Sequence, residues 1–135
     1  MTAVVDASVA ARWCFRIDRS DRAEALLRSE PRLIAPDLVL VELTNVAWKF
    51  VQFDKQPDDL VAATIRQAER AFDELVPARL LHVRALEIAI ALRHAAYDCF
   101  YLALAEKREC PFVTADDKLL HRCENTAFAE LVRPL

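Results

Sequence analysis

The sequence predicts an α/β protein in which helices cover both faces of a parallel sheet of four to five strands. Short apolar runs rich in β-branched residues alternate with longer stretches of helical spacing. Strands separated by helices are expected to run parallel, because tight hairpins cannot join them. The chain has 135 residues, 55% of them apolar. This is enough for one continuous core, so we expect a single domain over residues 1–135.

The individual elements follow from the spacing of apolar residues and from the positions of helix-starting residues. The predicted strands are 3–5, 33–35, 80–83, 111–114 and 127–132. The predicted helices are 7–15, 20–27, 36–53, 57–75, 85–93, 95–107 and 118–123. Because the chain contains no glycine, turns and helix ends are expected to use Pro, Asp, Asn and Ser instead.

Charge and cysteine usage narrow the class of protein. The formal net charge is −3, whereas a protein that binds nucleic acid only through phosphates usually has a basic excess. A role with RNA would therefore need local basic patches or bound cations. The four cysteines have no metal-binding spacing and are expected to be isolated reduced thiols. Asp6 interrupts the first apolar run, and no uncharged stretch approaches the roughly 20 residues of a membrane span. We expect a soluble, cytoplasmic protein.

Two aspartates follow predicted strands at positions where parallel sheets bind ligands. Asp6 follows the first strand and Asp116 follows the fourth. Ligands of open parallel sheets bind beyond the carboxyl ends of the strands. Each aspartate also precedes a predicted helix, so an N-cap worth about 1 kcal/mol is the alternative interpretation.

Two further carboxylates lie in apolar stretches of predicted helices. Glu42 lies within the run LVLVEL, and an uncompensated carboxylate there is costly. Asp98 lies in the first turn of the alanine-rich helix, where the helix dipole alone would favour it. A lysine or arginine partner for Glu42 remains an alternative.

Four carboxylates from separate segments would repel one another in one cleft unless cations were present. Mg²⁺ and Mn²⁺ prefer carboxylate and water oxygens. Two such ions about 3.5–4 Å apart can hold a phosphodiester during in-line displacement. An acidic cleft of this kind makes an acidic protein compatible with an RNA substrate.

Four motifs resemble those of the PIN-domain ribonucleases, in order and over essentially the whole chain. They are VDASVA at 5–10, ELTN at 42–45, YDCFYLALAE at 97–106 and VTAD at 113–116. The third is the most specific. The chain resembles in particular the VapC-type toxins of VapBC toxin–antitoxin systems. The resemblance implies a three-layer α/β/α fold, Mg²⁺- or Mn²⁺-dependent endoribonuclease activity by a metal-activated water, and inhibition by a cognate VapB-type antitoxin.

The resemblance also implies roles for individual residues. The acidic residues that bind metal and carry catalysis would be Asp6, Glu42, Asp98 and Asp116. Residues that position a carboxylate, a water or the substrate would be Ser8, Asn45, Thr114 and Asp117. Basic residues that could contact RNA phosphates are Arg12, Arg16, Lys49 and Lys118. Apolar residues flanking the first and third helices could receive the antitoxin or form a homodimer.

One departure and several rival functions qualify this interpretation. Relatives often carry a glycine shortly before the third motif, where this chain has LRHAA at 92–96, so the entry into that helix is expected to differ. The main alternative function is a non-catalytic PIN-fold interaction module. A haloacid-dehalogenase-like phosphatase needs an aspartate where Ser8 stands, and a receiver domain needs one where Val83 ends the predicted third strand.

Overall fold

The computed structural model describes residues 1–29 and 31–135. Within these ranges the chain forms a sheet of five parallel strands in the order β3-β2-β1-β4-β5. The strands are β1 (Thr2–Val5), β2 (Arg32–Pro36), β3 (Glu74–Val76), β4 (Phe112–Thr114) and β5 (Val132–Pro134). The predicted parallel α/β sheet is confirmed.

The helices connect successive strands and pack on the sheet. They are α1 (Ala7–Cys14), α2 (Ser20–Arg28), α3 (Leu38–Asp54), α4 (Asp58–Glu69), α5 (His82–Leu92), α6 (Ala96–Arg108) and α7 (Asp117–Cys123). A single 3₁₀ turn at Ala78–Leu80 precedes α5 within the described part of the chain. Most helix bounds differ from the prediction by one to three residues; α4, discussed below, is the exception.

Alternating side chains of the central strand β1 pack on opposite faces of the sheet. Val4 belongs to the core cluster that contains Tyr101 and Phe112, whose rings stack with centroids 5.4 Å apart. Ala3 and Val5 belong instead to the cluster on the α1–α2 side. Because β1 is buried on both faces, it has a continuous apolar run, as expected for a central parallel strand. This confirms the three-layer arrangement.

The third and fifth strands lie at different positions from those predicted. Residues 80–83, predicted as a strand, end the 3₁₀ turn and begin α5, with Val83 63% exposed. The strand is Glu74–Val76, in which Val76 is 3% exposed, and the predicted helix 57–75 ends earlier, at Glu69. Burial in the sheet, rather than apolar composition alone, determines which segment forms the strand. The last strand was predicted at 127–132 but lies at Val132–Pro134, where Val132 pairs with Phe112 of β4.

In the absence of glycine, the left-handed positions of the backbone are mostly occupied by residue types other than those predicted. Among the residues that the structure describes, five adopt the left-handed conformation with φ between 51° and 60°, namely Arg19, Lys55, Arg93, Glu109 and Asn125. Only Asn125 is of a predicted type. Three of the others end helices, where glycine is usual. Arg93 stands between α5 and α6, in the segment where we noted the missing glycine.

The structure also bears on the predictions about the cysteines and about membrane-spanning segments. All four cysteines are free thiols, and three of them are buried, which confirms the prediction of isolated thiols. Within the described residues, no single helix is long and apolar enough to cross a membrane. Only α5 and α6 taken together reach that length and composition, and they are bent by 114° at the break between them.

Candidate active site

Asp6 and Asp116 stand side by side at the carboxyl edge of the sheet. They follow β1 and β4, which pair directly through Val5 and Val113. Asp6 caps α1 by accepting hydrogen bonds from the backbone N–H groups of Ser8 and Val9. Asp116 caps α7 in the same way. Each of the two residues therefore caps a helix and also lies at the edge where open parallel sheets bind their ligands.

Helices α3 and α6 bring two more carboxylates to this edge. Glu42 lies on the second turn of α3, and Asp98 lies in the first turn of α6. One open cleft of about 420 Å³ is lined by all four acidic residues, together with Ala7, Ser8, Leu38, Val41, Asn45, Val46 and Tyr97. Segments distant in the sequence thus place four carboxylates in a single cleft.

Asp6 is the most deeply buried of the four and is held by two hydroxyl groups. Its exposed fraction is 5%. The Ser8 hydroxyl donates to Oδ1 at 2.5 Å, and the Thr114 hydroxyl donates to Oδ2 at 2.6 Å. The pKa of Asp6 is raised to about 6, mainly by burial and to a smaller extent by the charge of Asp98, although the hydrogen bonds from Ser8 and Thr114 lower it. The site thus holds a carboxylate in fixed geometry, and no described lysine or arginine forms an ion pair with it.

Glu42 is held by a residue that sequence reasoning missed. The Tyr101 hydroxyl donates a hydrogen bond to Glu42 Oε1 at 2.5 Å, and Tyr101 is fully buried. Burial raises the pKa of Glu42, as does the charge of Asp98, while the bond from Tyr101 lowers it. The available signal was that Tyr101 follows Asp98 by three residues, on the same face of one helix. The alternative of a lysine or arginine partner does not hold among the described residues, in which the partner of Glu42 is Tyr101.

Asp98 is held by a second residue to which sequence reasoning gave no task. His94 Nε2 donates to Asp98 Oδ2 at 2.5 Å. The left-handed backbone of Arg93 ends α5 immediately before His94. The sharp helix–helix connection therefore places an imidazole against the first turn of α6.

Within residues 1–29 and 31–135, none of the four cleft carboxylates forms an ion pair with a lysine or arginine. Among these residues, the only basic side chain that contacts one of the four carboxylates is His94, which hydrogen-bonds to Asp98. The cleft is therefore strongly negative, and the charge of Asp98 raises the pKa of both Asp6 and Glu42.

The donor set of the cleft fits a hard divalent cation. In the described part of the chain, one oxygen each of Glu42, Asp98 and Asp116 has no hydrogen-bond donor from the protein. Carboxylate oxygens of this kind are the ligands that Mg²⁺ and Mn²⁺ prefer. No three His, Cys, Asp or Glu side chains in that part of the chain stand close enough to hold an ion as they are now oriented. Binding by three or more of these side chains at once would therefore require them to rotate towards one another.

The residues predicted to support the acids divide between two places. Ser8 and Thr114 contact Asp6 directly, and Asn45 lines the cleft. Asp117 lines a neighbouring cavity instead, where Arg19 Nη1 lies 3.4 Å from its Oδ1. This placement favours Asp116 over Asp117 as the fourth acid of the cleft.

The basic residues predicted to contact RNA are only partly available. The Arg12 side chain is 10% exposed and is held by Asp18 at 3.1 Å and by the Ser8 carbonyl at 2.7 Å. Arg16 is exposed but pairs with Glu24 at 3.0 Å. Lys49 is exposed on α3, one helical turn beyond Asn45 of the cleft, although it does not itself line the cleft. Lys118 lines the neighbouring cavity.

Comparisons with known proteins agree with this architecture. The family model of the PIN domain matches residues 3–125. The chain is 30% identical to ribonuclease VapC3 of Pyrobaculum aerophilum, over 99% of this chain and 100% of that protein.

Two solved structures share the fold. The crystal structure of PAE2754 from Pyrobaculum aerophilum has a TM-score of 0.71 at 20% identity and covers 93% of this chain and 82% of its own. The structure of VapBC2 from Rickettsia felis, bound to a DNA fragment from its promoter, has a TM-score of 0.68 at 11% identity, with 100% of this chain and 99% of that chain covered. With the family model and the full-length relative, they lead to one conclusion: the chain belongs to the PIN-domain family and is similar over its whole length to a VapC-type member.

Proposed function

We propose that the protein is a divalent-metal-dependent endoribonuclease and the toxin component of a VapBC-type pair. The observation that carries the proposal is the convergence of Asp6, Glu42, Asp98 and Asp116 on one cleft without a lysine or arginine partner among the described residues. Four uncompensated carboxylates destabilise a folded protein unless a cation binds them. The full-length similarity to a ribonuclease supports RNA as the substrate.

A bound Mg²⁺ or Mn²⁺ ion would supply Lewis acidity, which polarises the scissile phosphate and lowers the pKa of an attacking water. The free oxygens of Glu42, Asp98 and Asp116 would hold the ion. Asp6, whose two oxygens are oriented by Ser8 and Thr114, completes the acidic wall of the cleft. The Asn45 side chain lies in the same wall and can donate its amide N–H to a substrate oxygen. Hydrolysis would break one P–O bond of the RNA backbone.

The proposed partners are a cognate VapB-type antitoxin and a second copy of the chain, in the cytoplasm. Large apolar side chains are exposed on two helices, Val41, Trp48 and Phe53 on α3 and Val83, Leu86 and Ile90 on α5. Exposed apolar surface of this extent is typical of protein interfaces. The VapBC2 structure is a toxin–antitoxin assembly, which supports an antitoxin partner here. Light scattering of the purified chain tests the dimer by its mass.

The test of the enzymatic proposal is cleavage of total cellular RNA by the wild type, Asp6→Ala and Asp98→Asn, with Mg²⁺ and with EDTA. Asp59→Asn, on the exposed first turn of α4, is the matched control. Discrete fragments are expected from the wild type and the control in Mg²⁺ alone. Fragments that persist in both cleft variants would indicate a contaminating nuclease or a wrong site. No fragments from any of the proteins would support the alternative of a non-catalytic interaction module.

A further inference from the structure

We infer that a basic cavity beside the acidic cleft binds a backbone phosphate of the RNA strand next to the scissile one. This inference rests on the proposed function, because the phosphate would belong to the same RNA strand that is cleaved in the acidic cleft. The cavity has a volume of about 680 Å³ and is lined by His94, Asp117, Lys118, His121 and Arg122. Its lining contrasts with that of the neighbouring cleft, whose charged lining residues are the four carboxylates.

The positive charges of this cavity are available to a ligand. Lys118 and Arg122 are exposed on α7, and neither forms an ion pair with any residue that the structure describes. They stand four residues apart, so their side chains extend from the same face of the helix. A single anion can therefore contact both.

The one acidic residue of the cavity is already compensated. Arg19 lies 3.4 Å from Asp117 Oδ1 and also donates to the Ala115 carbonyl at 3.1 Å. Arg19 is thereby fixed against the start of α7. The carboxylate of Asp117 consequently opposes an incoming anion less than an isolated one would.

The cavity adjoins the cleft at two points. His94, which lines the cavity, hydrogen-bonds to Asp98, which lines the cleft. Asp116 lines the cleft, and the next residue, Asp117, lines the cavity. A strand whose scissile phosphate lies among the carboxylates therefore passes directly over Lys118 and Arg122.

The electrostatics of the protein explain why such a site is needed. The formal net charge is −3, and the cleft adds a local concentration of negative charge that repels RNA even when a cation is bound. Lysine and arginine contacts to neighbouring phosphates fix the position and register of the strand without reading its sequence. An acidic segment of a protein partner is the rival occupant, but it has no reason to extend from the cleft into the cavity.

The experiment measures kcat and KM on a single-stranded RNA that the wild type cleaves in Mg²⁺, over a series of KCl concentrations. The test variant is Lys118→Ala/Arg122→Ala. The control is Lys107→Ala/Arg66→Ala, which removes the same charge from exposed positions on α6 and α4, away from both cavities. For the test variant we expect KM to rise about tenfold, with kcat within about threefold of wild type. The slope of log(kcat/KM) against log[KCl] should become shallower by about one.

Two further variants keep the result interpretable. Lys118→Gln/Arg122→Gln keeps a polar side chain but removes the charge and should behave like the alanine pair, whereas Lys118→Arg should behave like the wild type. If KM and the salt slope of the test variant equal those of the control, the inference is wrong, even if that variant loses affinity for an acidic peptide. If the wild type cleaves no RNA at all, the proposed function fails instead.

Discussion

The hydroxyl of Tyr101 donates a hydrogen bond to Glu42 Oε1 across 2.5 Å and so joins α6 to α3 at the floor of the acidic cleft. Tyr101 itself is fully buried and stacks on Phe112 of β4. The tyrosine therefore has one fixed position, set by the core, from which it orients a carboxylate of the site. Groups that orient a metal ligand in this way commonly affect metal affinity and activity by about 10–100-fold.

Tyr101→Phe is expected to leave the fold intact and to weaken function through Glu42. The ring and its stacking remain, but Glu42 loses its only donor among the described residues. RNA cleavage in Mg²⁺ should fall about tenfold or more. In a Glu42→Gln background the same substitution should have much less effect, because the positioned carboxylate is already gone. Equal losses in both backgrounds would contradict the role of Tyr101 as a positioning residue.

The raised pKa of Asp6 predicts a pH dependence of stability in the absence of metal. The folded state binds the proton of Asp6 with a pKa of about 6, above the ordinary value of 3.8. Protonated Asp6 therefore contributes fully to the free energy of unfolding below its pKa in the unfolded state, near 4. This contribution is lost as the pH rises through about 6, its pKa in the folded state. In EDTA, Asp6→Asn retains the cap oxygen but has no proton to lose. The melting temperature of the wild type should fall relative to Asp6→Asn between pH 4.5 and 7, and parallel curves would refute the assignment.

Thr114→Val should destabilise the protein by about 1–3 kcal/mol. The Thr114 hydroxyl is fully buried, donates to Asp6 and accepts from the Asp116 backbone N–H at 3.1 Å. Valine preserves the shape but leaves both groups without this partner. Urea unfolding in EDTA measures the loss, and Thr114→Ser, which keeps the hydroxyl, should be clearly more stable than Thr114→Val. The reverse order would show that the methyl group, not the hydrogen bonds, matters at this position.

Glu109→Gly should stabilise the protein by about 0.5–1 kcal/mol. Glu109 ends α6 with φ of 51°, a conformation that costs a side chain with a Cβ atom and favours glycine. Glu109→Ala removes the same charge but keeps the Cβ atom, so it should bring no comparable gain. Thermal unfolding of the two variants separates the backbone effect from the charge effect. A gain of the same size in both would assign the effect to charge.

The four carboxylates of the site could be singled out from the sequence, because each stands out from the residues next to it in the chain. Asp6 and Asp116 directly follow apolar strands, and pairing of β1 with β4 places them together. Glu42 and Asp98 stand out as carboxylates in apolar helices. The strand Glu74–Val76 was missed because it is three residues long and begins with a charged residue, so periodicity does not mark it.

The contacts within the site were not predictable because they depend on how helices pack. His94 and Tyr101 reach their carboxylates only after α5, α6 and α3 have taken their places. The partners of Arg12 were not predictable for a similar reason. The sequence shows its charge, but not that the turn after α1 brings Asp18 and a carbonyl against its guanidinium.

The central claim, that the four carboxylates form one cation site, is tested most directly by calorimetric titration of Mn²⁺ into the purified chain at pH 7.5. We expect saturable binding to the wild type and to Asp59→Asn, and affinity at least tenfold weaker for Asp98→Asn and Glu42→Gln, with all four proteins folded by circular dichroism. Equal Mn²⁺ affinity in the wild type and both cleft variants would mean that these carboxylates do not bind the metal together.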